Sequence, residues 1–300
     1  MRVRPYFELV RLPNVIAAPA DSLAGMLLAG GTLASWPRAL PLALTSACLY
    51  AAGMALNDVF DIEVDRVERP GRPLPSGRVS LRTAAILAAI LTAAGLGFAL
   101  LTGSSRCVWV ATGVAACIVG YDAYFKKTPL GPFVMGLCRG GNLLLGMSVI
   151  PGALGLVSGV AVVSMTLFVA GVTWISRSEV GGGRSRGVLI GVVLENVGLL
   201  GCLYAALVRG FPNAPTDLAL IPLEGLLILL AGAFFVNNAA ACALREATPA
   251  ALQNAVKTGV RTIAVLDAGL VAAARGPLAA LPIFAIMIVS LIYARRFYVT

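Results

Sequence analysis

Asn57-Asp58-Val59-Phe60-Asp61-Ile62-Glu63-Val64-Asp65-Arg66-Val67-Glu68-Arg69-Pro70-Gly71-Arg72-Pro73-Leu74-Pro75-Ser76-Gly77-Arg78 is the stretch on which the chain turns. It holds five of the fourteen acids in a chain of 300 residues that is 59% hydrophobic and only 12% charged. If the segment continues the apolar run before it as a helix, Asn57, Asp61 and Asp65 recur every four residues and fall on one face, a turn apart, so that three oxygen ligands converge. Hard divalent cations take such ligands, and Mg2+ commonly combines a few carboxylates with substrate phosphates. The arginines that follow, Arg69, Arg72 and Arg78, suit the phosphate half of such a complex. The competing reading is a solvated charged loop between two membrane helices. Acids close to a membrane are costly and usually have a task, which favours the functional reading.

Outward from this stretch the chain reads as lipid-embedded. A mean hydropathy of +0.90 places it with polytopic membrane proteins rather than soluble domains. The apolar runs are continuous and too long for the alternating ten-residue strands of a membrane barrel. The expectation is an all-α, polytopic transmembrane helical bundle forming one membrane-embedded domain over residues 1–300. Ten spans are expected, with nine as the alternative, at about residues 13–36, 40–56, 81–102, 107–121, 132–150, 157–176, 187–208, 218–243, 253–274 and 277–294. The first carries Asn14 and Asp21, which should face the bundle interior. The segment before it is basic and amphipathic enough to lie on the membrane surface, and the following apolar run is too long for a cleaved signal core.

The net charge of +9 belongs to the topology. Ten spans put eighteen of the 23 lysines and arginines on the side of the acidic stretch, and only Arg38, Arg106, Arg209 and Arg275 opposite. The positive-inside rule then makes the acidic face cytoplasmic in a cell inner (plasma) membrane, and no basic soluble domain remains for nucleic acid. The absence of histidine excludes a Ser-His-Asp triad, a Cys-His pair and histidine-ligated metals. The six cysteines stand singly in apolar segments without a CxxC, as small buried hydrophobes do.

Two further polar stretches share the acidic face. Tyr121-Asp122-Ala123-Tyr124-Phe125-Lys126-Lys127-Thr128-Pro129-Leu130-Gly131-Pro132 is a turn between the fourth and fifth spans. The loop after the sixth span, Trp174-Ile175-Ser176-Arg177-Ser178-Glu179-Val180 and on to Gly187, is basic and glycine-rich, but lacks the Gly-Lys-Ser/Thr ending of a P-loop. The fifth span carries Arg139 and Asn142 beside several glycines, where Arg139 is either an anion ligand or an inter-helix partner.

Asn57-Asp58-x-x-Asp61-x-x-x-Asp65, placed after the second span and followed by Arg-Pro-x-Arg-Pro-x-x-Ser-Gly, resembles the first signature of the UbiA superfamily of intramembrane prenyltransferases. Tyr121, Lys126 and the polar loop after the sixth span extend the resemblance over nearly the whole chain. It implies a bundle enclosing a lipid-accessible cavity in which two Asp-rich motifs, here the loops at about 57–80 and 176–187, hold Mg2+ on an isoprenyl diphosphate whose prenyl group passes to an aromatic or other lipophilic acceptor. Carried over by position, Asn57, Asp58, Asp61 and Asp65 are the metal-binding group, with Asp58, Asp61, Asp65 and Glu179 as the catalytic acids. Arg69, Arg72, Arg78, Tyr121, Lys126, Arg139, Arg177 and Arg184 are the substrate-binding candidates. The second motif departs from the pattern: its acidic positions are Ser176, Glu179 and Gly183, and cations with glycine amides stand where a second metal would be. That departure, with the Arg177–Val180 and Lys127–Pro132 segments, is similar to the EboC-like branch.

The implied chemistry is heterolysis of an allylic C–O bond, eased by metal and cations on the leaving diphosphate. Tyr121, Tyr124 or Trp174 either face an allylic cation or anchor the chain at the interface. The alternative function is a catalytically altered relative that binds or helps to move a lipophilic metabolite. A conventional transporter fits less well, since the polar residues gather at one face and no inverted repeat is evident.

Overall fold

The computed structural model describes residues 3–152, 154–180, 185–208, 211 and 223–297. Among the described residues thirteen α-helices follow one another and no strand occurs. In chain order they are α1 (Arg4–Leu9), α2 (Leu12–Ala17), α3 (Pro19–Leu28), α4 (Trp36–Phe60), α5 (Ile62–Glu68), α6 (Leu81–Leu101) and α7 (Ser105–Ala123). After a 3-10 turn at Phe125–Lys127 come α8 (Gly131–Ser148), α9 (Leu156–Val180), α10 (Ser185–Val208), α11 (Leu223–Glu246), α12 (Pro249–Arg275) and α13 (Leu281–Phe297).

Helical segments fill all ten places expected of spans, with α2 and α3 sharing the first. Seven of them, α4, α6, α7, α9, α10, α11 and the segment ending in α13, are long and apolar enough to cross a bilayer by length and composition. The other three are atypical for identifiable reasons. α8 is glycine-rich and carries Arg139 and Asn142; α12 carries Lys257, Arg261 and Asp267. The first span, expected as one helix to residue 36, is broken and ends at Leu28.

The break lies at Ala18-Pro19, because a proline within a helix has no N–H to give to the preceding turn. Backbone groups freed inside lipid must be re-satisfied. Ser46 Oγ and Asn142 Nδ2 both donate to the Ala18 carbonyl, each at 2.9 Å, and Ser22 Oγ donates to the Pro19 carbonyl at 3.1 Å. Asp21, completely buried, forms an ion pair with Arg139, whose Nε lies 2.7 Å from Oδ2, and accepts a hydrogen bond from Asn142 Nδ2 at 3.1 Å. Asp21 therefore lies on the protein side, fully buried, while Asn14 is half-buried.

Helix packing follows small residues, as it does where lipid removes the hydrophobic drive between helices. A β-carbon on Gly146 would collide with the Ser22 carbonyl, so α3 and α8 meet backbone to backbone. Gly136 and Gly140 give α9 the same approach at Thr166. Around them Leu143, Leu145, Met147, Met165, Phe168 and Leu266 are fully enclosed, and α12 turns a continuous buried face from Leu266 to Ala274 onto α3, α9 and α11. This rigid centre fixes the ends of α4, α7, α8 and α9, from which the polar stretches project.

Candidate functional site

The acids sit where α4 gives way to α5. Although α4 closes at Phe60 and α5 opens at Ile62, the four-residue ladder runs through the junction. Asp61 N–H donates to the Asn57 carbonyl at 3.0 Å, Asp65 N–H to the Asp61 carbonyl at 2.8 Å and Arg69 N–H to the Asp65 carbonyl at 2.9 Å. The stripe Asn57, Asp61, Asp65 is thereby kept in register. The side chains do not meet at one point, however. Asn57 Nδ2 donates to Asp122 Oδ1 at 3.0 Å, Lys126 Nζ donates closely to Asp61 Oδ2, and Arg72 Nη1 donates to Asp65 Oδ2 at 2.5 Å. Asp58 Oδ1 receives Arg11 Nη2 at 3.3 Å and Arg72 Nη1 at 3.4 Å. Among the described residues no three His, Cys, Asp or Glu side chains stand close enough to hold a metal by themselves. Asp58, Asp61, Asp65 and Asp122 each face a cation or an amide from another part of the chain instead.

Two flanks supply those partners. On the first, the chain from Arg69 to Val79 folds into successive turns stiffened by Pro70, Pro73 and Pro75. Arg72 N–H donates to the Arg69 carbonyl at 3.1 Å and Val79 N–H to the Pro73 carbonyl at 3.0 Å. Leu74 and Val79 are buried with Leu9 and Ala55, which pins the loop beneath the N-terminal helix and aims Arg72 at the acids. Arg78 is tied to Glu8 Oε2 at 2.6 Å and the Gly71 carbonyl at 2.7 Å. Arg69 is exposed at the end of α5.

Arg11 completes this flank in a left-handed backbone conformation, with φ of 54°. A non-glycine residue there costs about 1–3 kcal/mol and persists only where its surroundings demand it. Contacts to Asp58 and to Met54 Sδ at 3.4 Å hold it in place. Between the flank's arginines opens a cleft of about 750 Å³ lined by Arg4, Arg11, Arg69, Arg72 and Arg78, with Glu8 and Asp58 as its acids.

The second flank comes from α7, α8 and α9. Tyr121 is 8% exposed and abuts Arg177. Arg177 Nη1 donates to the Thr128 carbonyl at 2.6 Å and Nη2 closely to the Lys126 carbonyl, so this arginine fastens the turn that carries Lys126. Gly131 is what lets it reach, because a β-carbon there would strike the Arg177 guanidinium. Phe133 and Trp174 close the flank edge to face, with ring centres 6.0 Å apart, while Tyr124 is exposed.

Arg139 is not among the residues gathered there. Its pairing with Asp21 lies eight residues, or about 12 Å, further along α8 than Gly131. The inter-helix role accounts for that contact. The Glu179 side chain and all of Arg184 and Gly183 lie outside the described residues.

Sequence reasoning overlooked two members of the assembly. Asp122 carried a signal, standing between Tyr121 and Lys126 in a turn already marked as polar. Arg11 read as part of a surface segment; only the fold shows that a break before Leu12 swings it over α4.

The geometry thus assembled has parallels. Residues 21–245 match the model of the UbiA prenyltransferase family. A digeranylgeranylglyceryl phosphate synthase of Methanoculleus marisnigri is 30% identical over 247 residues, covering 78% of this chain and 87% of that protein. In fold, a solved structure concerning digeranylgeranylglyceryl phosphate synthase in membranes superposes with a TM-score of 0.69 at 21% identity, over 91% of this chain and 98% of that one. A UbiA homologue from Archaeoglobus fulgidus bound to GPP and Mg2+ superposes with a TM-score of 0.65 at 16% identity, over 89% and 99% of the two chains.

Proposed function

The chain belongs to the UbiA prenyltransferase family, and from that premise we propose that it transfers a prenyl group from an isoprenyl diphosphate to a lipophilic acceptor, with Mg2+, at the membrane face bearing Asn57–Arg78. The carrying observation is the interleaving of acids with cations at one end of the bundle. A Mg2+–diphosphate complex has the complementary composition. Its metal answers Asp58, Asp61 and Asp65 together with the side-chain carboxamide oxygen of Asn57; its phosphate oxygens answer Arg11, Arg72 and Lys126. Exchange of partners therefore leaves no buried charge uncompensated. The fit also accounts for the lack of a ready-made cage, since Mg2+ ordinarily takes one or two carboxylates and completes its shell with phosphate and water.

Bound there, Mg2+ supplies charge neutralisation on the diphosphate oxygens as the allylic C–O bond breaks. Lys126, presented by the turn that Arg177 fastens, and Arg72, presented by the proline-stiffened loop, hold the departing diphosphate by charge-assisted hydrogen bonds. The C–O electron pair leaves with that diphosphate. The bundle keeps water from the allylic carbon, to which the acceptor forms its new bond, losing its proton to the departed diphosphate. Tyr121, buried beside Arg177 and within electrostatic range of Asp61, is the aromatic candidate to face the allylic cation. Asp58, with one oxygen shared by Arg11 and Arg72, holds these two cations in place until the diphosphate takes them over.

The basic cleft favours an acceptor that itself carries an anionic group over a neutral aromatic one, because three of its arginines, Arg4, Arg69 and Arg78, are left over from the donor and have one acid, Glu8, among them. The product named for the Methanoculleus relative is a phosphate. The cytoplasmic side of the plasma membrane is the placement the charge distribution supports. Assignment to the EboC-like branch rests on the altered second motif together with the Arg177–Val180 and Lys127–Pro132 segments.

The test is release of diphosphate and appearance of prenylated product when purified protein is given Mg2+, labelled donors from geranyl upward, and acceptors with and without a phosphate. Turnover abolished by Asp61→Ala is the expected result. Bound donor without release by folded protein across this panel would instead support the non-catalytic alternative.

A further inference from the structure

We infer that Asp122 is the positioning residue for Asn57, turning its carboxamide so that the oxygen, not the nitrogen, is offered to the metal. This rests on the proposed Mg2+ site. The two residues come from different helices, α4 and α7, 65 positions apart, and meet at 3.0 Å through Asn57 Nδ2 and Asp122 Oδ1. A carboxamide has a donor end and an acceptor end of nearly equal size, and rotation by half a turn exchanges them. Left to itself, Asn57 could present either to the stripe it shares with Asp61 and Asp65. An ionised carboxylate only accepts, so Asp122 can take only the NH2 end. The amide is planar, and fixing its nitrogen towards α7 leaves Oδ1 on the other side.

An –NH2 group turned towards a cation would repel it, so the orientation decides whether Asn57 is a ligand at all. Asp122 also lies within electrostatic range of Lys126, Asp61 and Arg11. A general charge effect through those neighbours is the competing account, and the experiment separates the two. Outer-shell partners of metal ligands are worth about 10- to 100-fold in metal affinity, a range large enough to measure without turnover.

The experiment follows Mn2+ binding by its paramagnetic resonance signal in purified full-length protein with inorganic diphosphate present, Mn2+ standing for Mg2+ because both favour oxygen ligands. Asp122→Ala is expected to weaken Mn2+ binding by about 10- to 100-fold. Asp122→Asn, whose carbonyl can still accept from Asn57, should fall between that variant and wild type, and its near-identical shape guards against loss of fold. In the Asn57→Ala background, adding Asp122→Ala should change nothing further, because the residue acts through Asn57. Unchanged affinity in Asp122→Ala overturns the inference, and so does equal weakening with and without Asn57. If Mn2+ binding to wild type is insensitive to Asp61→Ala, the underlying metal reading fails first.

Discussion

Arg72→Met removes the guanidinium that joins two acids while keeping the aliphatic stem that packs the loop. Arg72 Nη1 stands 2.5 Å from Asp65 Oδ2 and 3.4 Å from Asp58 Oδ1, and these carboxylate side chains are 4% and 5% exposed. Asp58 keeps Arg11 at 3.3 Å; Asp65 is left without its cation. Stripping the partner from a fully buried ion pair costs about 3–5 kcal/mol. Arg72 itself is 22% exposed, so water recovers part of that. The expected destabilisation is about 2–3 kcal/mol, a factor of roughly 30 to 150 in the unfolding equilibrium. Denaturant unfolding in a fixed detergent and metal-free buffer measures it. A double-mutant cycle with Asp65→Asn should return a coupling of about 1 kcal/mol or more. Mg2+ should then stabilise Arg72→Met at lower concentrations than wild type, each protein gaining about 2.7 kcal/mol at one hundred times its own dissociation constant. Coincident unfolding curves for the variant and wild type, with no coupling in the cycle, would refute the claim that these acids depend on their cations.

Chelation of Mg2+ should stop diphosphate release and its re-addition should restore it, as read by a diphosphate-coupled assay. Arg177→Met frees the turn bearing Lys126 and is expected to lower kcat/KM for the donor by about 10²-fold, with unfolding little changed. Arg139→Met strands buried Asp21 and should cost about 3–5 kcal/mol in the same unfolding assay, while Asp21→Asn with Arg139→Gln recovers much of it. Gly146→Leu drives a side chain into the Ser22 backbone and should sharply reduce the folded fraction seen by size-exclusion chromatography.

The helix order was legible because apolar runs and proline or charge boundaries are local features, and α4, α6, α7, α9, α10 and α11 fall close to where hydropathy puts them. The broken first span was written in Pro19, but the means of tolerating it were not, because Ser46 and Asn142 come from distant segments. The same limit governs the site. Four-residue spacing foretells the stripe Asn57, Asp61, Asp65, since it depends only on helical rise. Which cation faces which acid depends on tertiary packing, so Lys126 on Asp61 and Arg11 on Asp58 could not be paired from spacing. Arg139 shows the reverse case: its charge marked it for an anion, whereas α3 supplies a buried partner in Asp21.

The exchange of partners at the acids is most directly tested by an experimental structure with Mg2+ and a non-hydrolysable isoprenyl thiolodiphosphate. The account predicts metal density against Asp61 and Asp65, with Lys126 and Arg72 turned from those carboxylates onto phosphate oxygens. A diphosphate bound elsewhere in the bundle, with both ion pairs intact and no metal at the stripe, would contradict it.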